Sequence, residues 1–519
     1  MTIPRKILTA SSSFPRLREA NAVYIDKTAL IYKMTQADDA FFLSRPRRFG
    51  KSLLVTTLEA YFQGKKELFE GLEIEKMEQE WKKFPVLRFD MSGDRYTSTE
   101  KLAERINFLL MRYEKIYGRT PNAGEEFTSR LKDLIVRART QTGEKVVVLV
   151  DEYDAPLLDT VVDDTNFQTM RTMLRSFYSP LKESGEHLRF VFLTGITKFS
   201  QLSIFSELNN LKIISMNDDY ATICGITEAE IIKYLQPEVQ ALAEKNGISF
   251  ENALLMLKNK YDGYHFSRNC PDIYNPYSLL NCLADLEFNN YWFSSGTPTH
   301  LTELLSRYSL RPEDLDSFTA TAEMFDTPTE QSDSPIPILY QSGYLTIKKT
   351  IRNVHFKLGF PNEEVRIGFL RGLFPYYSKT TKDKNEVFLS ELTLAFEERR
   401  VDDAMQQMRS FFSSIPYDAE RQNEAHYKTM FYLIFRLASS FGVRTEERTA
   451  AGRSDFVLET EDAVYVFEFK LHGTAEEALR QIDEKGYAIQ YENGSKKLYK
   501  IGACFDEELR TLKNWVVAE

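Results

Sequence analysis

The chain has 519 residues, of which 43% are hydrophobic and 27% are charged. These ordinary globular values exclude a disordered or fibrous chain, and the length predicts several domains rather than one core. The formal net charge of -10 argues mildly against a nucleic-acid binder, because the overall field repels phosphates and such a partner needs a local basic surface.

The cysteines and the apolar segments indicate the compartment. The 4 cysteines lie far apart with no CxxC pair, so neither a disulfide framework nor a zinc knuckle is expected. No segment has the uninterrupted apolar length of a signal peptide or a membrane helix. We therefore expect a cytoplasmic protein without a membrane partner.

A phosphate-binding loop requires the order strand, turn, helix, and one N-terminal stretch has it. The apolar run Phe41–Leu43 is followed by a turn that ends in Gly50, Lys51 and Ser52. In such a loop the amides of the helix N-terminus face the anion, Lys51 adds a point charge and the Ser52 hydroxyl can ligate magnesium. Arg45 stands where such a loop normally places its first glycine. A chance Gly-Lys-Ser at a helix start is the alternative.

A second motif, "KVVVLVDEYDAP" (Lys145–Pro156), strengthens the interpretation. Its run of β-branched residues is typical of a buried parallel strand, and it ends in Asp151 and Glu152. Ligands bind at the carboxyl ends of strands in open α/β sheets. Asp151 can therefore hold the magnesium hydration shell, and Glu152 can orient or deprotonate an attacking water. The alternative is an exposed turn after a core strand.

A third strand, "LRFVFLTGITKFS" (residues 188–200), ends in polar side chains. Thr194, Thr197 and Lys198 are candidates for sensing the γ-phosphate of ATP, although polar residues commonly end strands.

The segments "YIDKTALI", "SRPRRFGKS", "VVLVDEYDAP" and "FLTGITKFSQLSIFSELNNL" closely resemble the AAA-ATPase-like family of bacterial proteins, which is related to STAND and archaeal-type ATPases. The resemblance continues through "YDGYHFS" and "YNPYSLL". It implies an ATP-binding P-loop domain. In that domain Lys51 and Ser52 belong to the phosphate loop, and Asp151 and Glu152 are the acidic pair.

The loop has one departure from that family. Related loops read Gly-Pro-Arg-Arg-x-Gly-Lys-Thr, so Pro46, Arg47, Arg48 and Gly50 match and Arg45 does not. A residue other than glycine there must avoid positive φ and point its side chain away from the nucleotide. The departure therefore bears on ATP turnover more than on ATP binding. The arginines have two open interpretations, a solvated basic turn or contact with phosphate or a neighbouring subunit.

The sequence pattern in the middle of the chain, residues 221–324, predicts a helical lid. Thr227 and Glu230 form a capping-box pattern that opens a helix. An aromatic cluster follows, for which core packing is favoured over base stacking: Tyr261, Tyr264, His265, Phe266, Tyr274, Tyr277, Tyr291, Trp292 and Phe293.

Two further segments connect this lid to the C-terminal part. Phe325–Pro337 lacks periodicity and reads as a connector, and Ile336–Lys349 predicts a short helix, a glycine turn and a strand, as in a small winged-helix-like unit. Glu386–Pro416 has apolar residues at helical spacing.

The C-terminal part contains a second candidate site. Strand alternation places Glu468 and Lys470 on one face and Phe467 and Phe469 on the other. A carboxylate and an amine at the end of an apolar row cost free energy unless they are paired or hold a metal. With Asp455 on the neighbouring strand, this set can bind Mg²⁺ or Mn²⁺ while Lys470 stabilises charge in phosphodiester cleavage. An ion pair across a hairpin is the alternative.

The segments "NEAHYKTMFYLIFRL", "EERTAAGRSDFVLET", "YVFEFKL" and "ALRQIDEKGYAIQY" resemble the PD-(D/E)xK nuclease domain. The resemblance implies that Asp455 and Glu468 are metal ligands and that Lys470 is the catalytic lysine. It also places Gln481 near the site on a helix, and Glu424 matches the upstream acidic position of the metal site.

Together these motifs predict an α/β protein with a P-loop parallel sheet, a helical lid, a winged-helix-like and helical connector and a restriction-endonuclease-like domain. The expected boundaries are 1–220, 221–324, 325–415 and 416–519. ATP and Mg²⁺, with Mn²⁺ as an alternative metal, are the expected cofactors. The expected function is ATP-controlled cleavage of nucleic acid of unknown type; a protein partner or homo-oligomer is left open. The alternatives are a nucleotide-dependent switch or scaffold and a small-molecule kinase.

Overall fold

The structure is a computed structural model, and it describes most of the chain. The described residues are 5–36, 40–93, 95–121, 124–160, 164–197, 211–292, 312, 315, 318–321, 324–325, 334–352, 354–415, 424–438, 444–446, 456–470, 472–492, 494–506 and 511–519.

The chain divides into two compact units. The first comprises Met1–Gly296 and Leu315–Val365, and the second comprises Thr297–Asp314 and Arg366–Glu519. The first unit contains the expected phosphate loop, and the second contains the Glu468 and Lys470 pair.

A parallel five-stranded sheet forms the centre of the first unit, with the strand order β2-β3-β4-β1-β5. All six residues of β3 are buried, as its β-branched sequence predicts for a strand covered on both faces. Because parallel strands end at the same edge, the turns after β1, β3 and β4 lie together. The strands are β1 (Ala40–Ser44), β2 (Val86–Asp90), β3 (Val146–Asp151), β4 (Leu188–Gly195) and β5 (Leu211–Ile213).

Helices cover this sheet and form the lid region. Buried residues of the longer helices pack against the strands in one hydrophobic cluster. The helices are α1 (Phe14–Glu19), α2 (Thr28–Thr35), α3 (Lys51–Phe62), α4 (Thr99–Tyr117), α5 (Phe127–Thr142), α6 (Ala155–Leu158), α7 (Asp164–Tyr178), α8 (Pro180–Glu183), α9 (Glu228–Tyr234), α10 (Gln236–Lys245), α11 (Phe250–Tyr261) and α12 (Pro276–Asp285). The predicted capping box at the start of α9 is confirmed, because Thr227 and Glu230 bond reciprocally.

The aromatic cluster of the lid is mostly core. Tyr261, Tyr264 and Tyr274 are fully or almost fully buried, and Phe266 and Trp292 are also buried. This burial favours the packing interpretation over base stacking; Phe293 lies outside the described residues.

A small antiparallel sheet completes the first unit, with the order β6-β8-β7. The predicted helix, glycine turn and strand are confirmed, and Gly343 has the positive φ of 87° that the turn needs. The elements are β6 (Thr319–Thr321), α13 (Ile336–Gln341), β7 (Thr346–Ile351) and β8 (His355–Gly359).

The second unit contains a mixed five-stranded sheet with the order β13-β12-β11-β10-β9. Only β11 and β12 pair in parallel among these described strands. The strands are β9 (Arg444–Glu446), β10 (Phe456–Glu459), β11 (Ala463–Lys470), β12 (Lys497–Asp506) and β13 (Thr511–Ala518). The remaining helices are α14 (Glu363–Ser378), α15 (Lys382–Glu397), α16 (Val401–Ser413), α17 (Glu424–Ala438), α18 (Ala475–Glu484) and α19 (Ile489–Glu492).

None of the described helices combines the length and the apolar character needed to cross a membrane.

Candidate functional site

The turn after β1 has the backbone of a phosphate loop. Gly50 precedes α3 with a φ of 89°, a left-handed conformation that favours glycine. Lys51 is buried, and its Nζ donates to the carbonyl oxygens of Arg45 and Pro46, both at 3.0 Å. These acceptors are neutral, so an anionic phosphate would be a stronger partner for the ammonium group.

Arg45 neither forms a solvated basic turn nor points towards a phosphate position. Its guanidinium is buried and donates to carbonyl oxygens of Ser44 at 2.9 Å, Ser215 at 2.7 Å and Ala221 at 3.2 Å. Its Cζ lies 4.3 Å from the centroid of the Phe266 ring. Both interpretations of the sequence are therefore wrong for Arg45, which connects the loop to the segment after β5.

Arg47 and Arg48 are exposed, unlike Arg45. The Arg48 guanidinium lies 4.7 Å from the centroid of the Tyr277 ring, and the Arg47 carbonyl accepts a hydrogen bond of 3.4 Å from the Trp292 indole. Their assignment as ATP contacts stays a prediction.

Carboxylates gather where β2 and β3 end. Asp90 is the register partner of Asp151, and Glu152 follows with a positive φ of 52°. Burial raises the pKa of Asp151 to about 6, the neighbouring carboxylates add to that rise, and a hydrogen bond from the Ser52 side chain opposes it. Burial also raises the pKa of Glu152, which the Lys51 ammonium opposes. Lys51, Ser52, Asp151 and Glu152 thus meet at one edge of the sheet.

This edge suits a divalent cation most of whose ligands are water molecules and substrate phosphates. The Oδ1 atom of Asp151 is buried without a hydrogen-bond partner among the described residues. Within the described ranges, no three His, Cys, Asp or Glu side chains form a group that could hold a metal. Mg²⁺ usually keeps several waters and binds through one or two carboxylates plus substrate phosphates, which matches this donor set.

The residues at the end of β4 are bonded within the protein. The Thr194 hydroxyl donates to the Leu43 carbonyl at 2.8 Å, and the Thr197 hydroxyl donates to the Asp154 carboxylate at 2.7 Å. Lys198 lies outside the described residues. Phosphate sensing by Thr194 stays a prediction.

In the second unit, the structure brings Glu468, Lys470 and Gln481 together. Gln481 on α18 donates to the Glu468 carboxylate and accepts from the Lys470 ammonium. The Lys470 Nζ lies 3.7 Å from Glu468 Oε1. Glu468 is 4% exposed, and such a buried carboxylate requires strong partners or a cation. The shared face predicted for Glu468 and Lys470 is confirmed.

Gly502 allows α18 to reach these side chains. Gly502 is the register partner of Glu468 on β12, and a Cβ there would overlap the Ala475 carbonyl and the Leu479 amide nitrogen of α18. The helix backbone therefore lies directly on the strand, which places Gln481 within reach of Glu468.

The other metal ligands expected in this unit are not placed. Asp455 lies outside the described residues, and of Glu424 the structure describes the backbone at the start of α17 but not the side chain. Helix α17 packs on the opposite sheet face from Glu468, where Phe431 lies 4.1 Å from Phe469 between ring centroids. The roles of Asp455 and Glu424 stay predictions.

Comparisons with known proteins fit both sites. The profile of the family described as "Predicted AAA-ATPase" matches residues 9–205, and that of the "PD-(D/E)XK nuclease superfamily" matches residues 422–515. The chain is 33% identical over 528 residues to "Uncharacterized protein in vnfD 5'region" of Azotobacter chroococcum mcd 1, which covers 99% of each chain. The chain belongs to the family that joins a predicted AAA-ATPase domain to a PD-(D/E)XK nuclease domain.

A solved structure is also similar to part of the chain, that of the Aeropyrum pernix ORC1 protein in complex with DNA. The identity is 11%, the match covers 66% of this chain and 91% of that chain, and the TM-score is 0.23. A TM-score of this size supports no conclusion about fold or function.

Membership of the AAA-ATPase/PD-(D/E)XK family makes this a nucleotide-binding, nuclease-like protein. Proteins of the two domain families generally use ATP and divalent metal ions. The nuclease domain points to nucleic acid as a partner.

Two carboxylates of the AAA-ATPase domain were not predicted from the sequence. Asp90 ends β2 beside Asp151, and Asp154 is fully buried after β3. A signal existed for each, because "VLRFD" is a strand ending in an acid and "DEYD" contains a third acid. The structure adds that these acids share one sheet edge.

Asp151→Asn is expected to stabilise the nucleotide-free protein against urea at pH 7.5 by roughly 3 kcal/mol. Because burial raises the pKa of Asp151 to about 6, the folded state contains an unfavourable carboxylate above that pH. Below the unfolded pKa of about 3.9 the carboxyl is neutral in both states, so the difference should disappear there. Asp219→Asn, at a carboxylate with a 62% exposed side chain, is the control. Equal stability of wild type and Asp151→Asn at pH 7.5 would contradict this account.

Proposed function

We propose that ATP bound by the AAA-ATPase domain controls metal-dependent phosphodiester cleavage of nucleic acid by the C-terminal domain. The observation that supports cleavage best is the bonded set of Glu468, Gln481 and Lys470 at the end of a buried strand. In this proposal the ATP-binding domain is 1–220, the helical lid is 221–324 and the connector is 325–415. The effector is the nuclease-like domain 416–519.

In the AAA-ATPase domain, four side chains have distinct roles in this proposal. Lys51 would neutralise the phosphates, and Ser52 and Asp151 would hold Mg²⁺. Glu152 orients the attacking water and accepts its proton, for which a pKa raised by burial is favourable. Arg47, Arg48, Gly50 and Thr194 complete the proposed ATP contacts.

In the nuclease-like domain, Glu468, Asp455 and Glu424 would hold Mg²⁺ or Mn²⁺. A divalent ion at such a site polarises the phosphodiester and lowers the pKa of water. The Lys470 ammonium, 3.7 Å from Glu468, then stabilises the negative charge that develops on the phosphate. Gln481 fixes the orientation of both side chains.

ATP control is proposed because one chain contains both sets of residues. A second candidate function, a nucleotide-dependent switch or scaffold with a non-cleaving nuclease-like domain, is favoured by the net charge of -10. The departure at Arg45 gives this candidate no added support, because the Arg45 side chain lies in the protein interior.

Lys51→Met is expected to remove the effect of ATP on cleavage. Purified wild type is incubated with double-stranded DNA, single-stranded DNA and RNA in Mg²⁺ or Mn²⁺, across a range of ATP concentrations. The wild-type cleavage rate should change several-fold with ATP, whereas Lys51→Met should cleave at one rate throughout, because its loop lacks the phosphate-neutralising charge. Lys66→Met, at an exposed lysine of the same domain, is the control.

The outcomes separate the two candidates. Equal cleavage by wild type and Lys51→Met at every ATP concentration rejects ATP control. No cleavage of any substrate, together with ATP binding, favours the switch or scaffold.

A further inference from the structure

Asp154 is a buried carboxylate that has no role in the proposed mechanism. It is fully buried, and its Oδ2 accepts hydrogen bonds from the Ile196 amide at 3.0 Å, the Thr197 amide at 2.6 Å and the Thr197 hydroxyl at 2.7 Å. Charge-assisted bonds of this kind are stronger than neutral ones. Asp154 therefore fixes the chain just after β4 to the chain just after β3.

Two short turns are joined by this carboxylate. We call Asp151–Asp154 the acidic turn and Gly195–Thr197 the β4 turn. The Tyr153 amide in the acidic turn donates to the Thr194 carbonyl at 3.1 Å, and the Tyr153 hydroxyl donates to the Thr197 carbonyl at 3.0 Å.

The β4 turn also contacts the phosphate loop. The Arg45 amide donates to the Gly195 carbonyl at 3.2 Å. The β4 turn therefore touches both halves of the nucleotide site, the loop that contains Lys51 and the turn that contains Glu152.

The two turns are in close contact at Gly195. A Cβ on Gly195 would overlap Asp154 Oδ1 and the Tyr153 ring. Packed interiors have few voids and transmit displacement, so movement of the acidic turn must move the β4 turn as well.

We infer that Asp154 is a positioning residue that transmits the occupancy of the ATP site to the β4 turn. The inference rests on the proposed ATP site. A γ-phosphate near Glu152 would shift the acidic turn, and the bonds of Asp154 would pass that shift to Ile196 and Thr197. Asp154 acts through these groups and does not touch the nucleotide itself.

Hydrogen exchange on the full chain tests this inference. In wild type, Mg²⁺ and ATP should slow amide exchange in a peptide that covers the β4 turn by about fivefold or more. In Asp154→Asn, this ATP effect should fall below about twofold while the affinity for a fluorescent ATP analogue changes by less than about threefold. Thr197→Ser, which keeps the hydroxyl, should retain the ATP effect, and Thr197→Val should reduce it.

Each contrary result has its own meaning. An undiminished ATP effect in Asp154→Asn overturns the inference and leaves the ATP site intact. Faster exchange in Asp154→Asn by the same factor with and without ATP also overturns it, because a purely structural role predicts that result. Absence of analogue binding to wild type rejects the proposed ATP site and the inference together.

Discussion

Glu468→Gln is expected to lower the rate of metal-dependent cleavage by about 1,000-fold or more. The carboxylate is 4% exposed and is bonded to Gln481 beside Lys470, so the site is built around its negative charge. A neutral amide of the same size keeps the packing but is a poor ligand for a hard divalent cation. The initial cleavage rate and the Mn²⁺ affinity measured by calorimetry should fall together.

Glu459→Gln provides the matched control for that measurement. Glu459 lies on the adjacent strand β10 and forms an ion pair of 2.8 Å with Lys496. Its loss should leave cleavage within about threefold of wild type, because an exposed or half-exposed ion pair contributes little. Cleavage by Glu468→Gln at the wild-type rate would show that the metal site lies elsewhere.

Arg45→Gly is expected to weaken ATP binding by about tenfold or more, although it brings the loop closer to the common phosphate-loop sequence. The substitution leaves buried carbonyl oxygens of Ser44, Ser215 and Ala221 without their donor. Unsatisfied buried groups cost about 1–3 kcal/mol each, so the free energy of unfolding should fall by roughly 3 kcal/mol. Titration with a fluorescent ATP analogue and urea denaturation give the two values.

For the free energy of unfolding, Arg48→Gly separates the effect of Arg45 from the loss of any arginine in the loop. Arg48 is exposed and has a φ of 68°, so glycine relieves backbone strain and stability should be unchanged or higher. Tighter ATP binding by Arg45→Gly than by wild type would mean that Arg45 obstructs the nucleotide site.

Local patterns predicted much of the fold. The β-branched run before Asp151 predicted a fully buried parallel strand, and all its residues are buried. Alternation along β11 predicted the shared face of Glu468 and Lys470, and the capping box predicted at Thr227 is present at the start of α9. These features depend on neighbours in the sequence, which makes them readable from sequence alone.

Contacts between distant segments could not be predicted in this way. The guanidinium of Arg45 bonds to a carbonyl 170 residues later, and the partner of Asp154 lies 43 residues later. No local periodicity links such pairs, because their proximity follows from the order of the strands in the sheet. The burial of the Arg45 side chain therefore could not be predicted from its sequence neighbours.

Gly502 limits which substitutions the nuclease-like site tolerates. It has no functional group, yet the contact of its backbone with α18 sets the distance from Gln481 to Glu468. A screen for inactive variants should therefore recover substitutions at this chemically inert position beside those of the charged residues. The proposed cleavage would therefore depend on the missing Cβ of this glycine as much as on the charged side chains of the site.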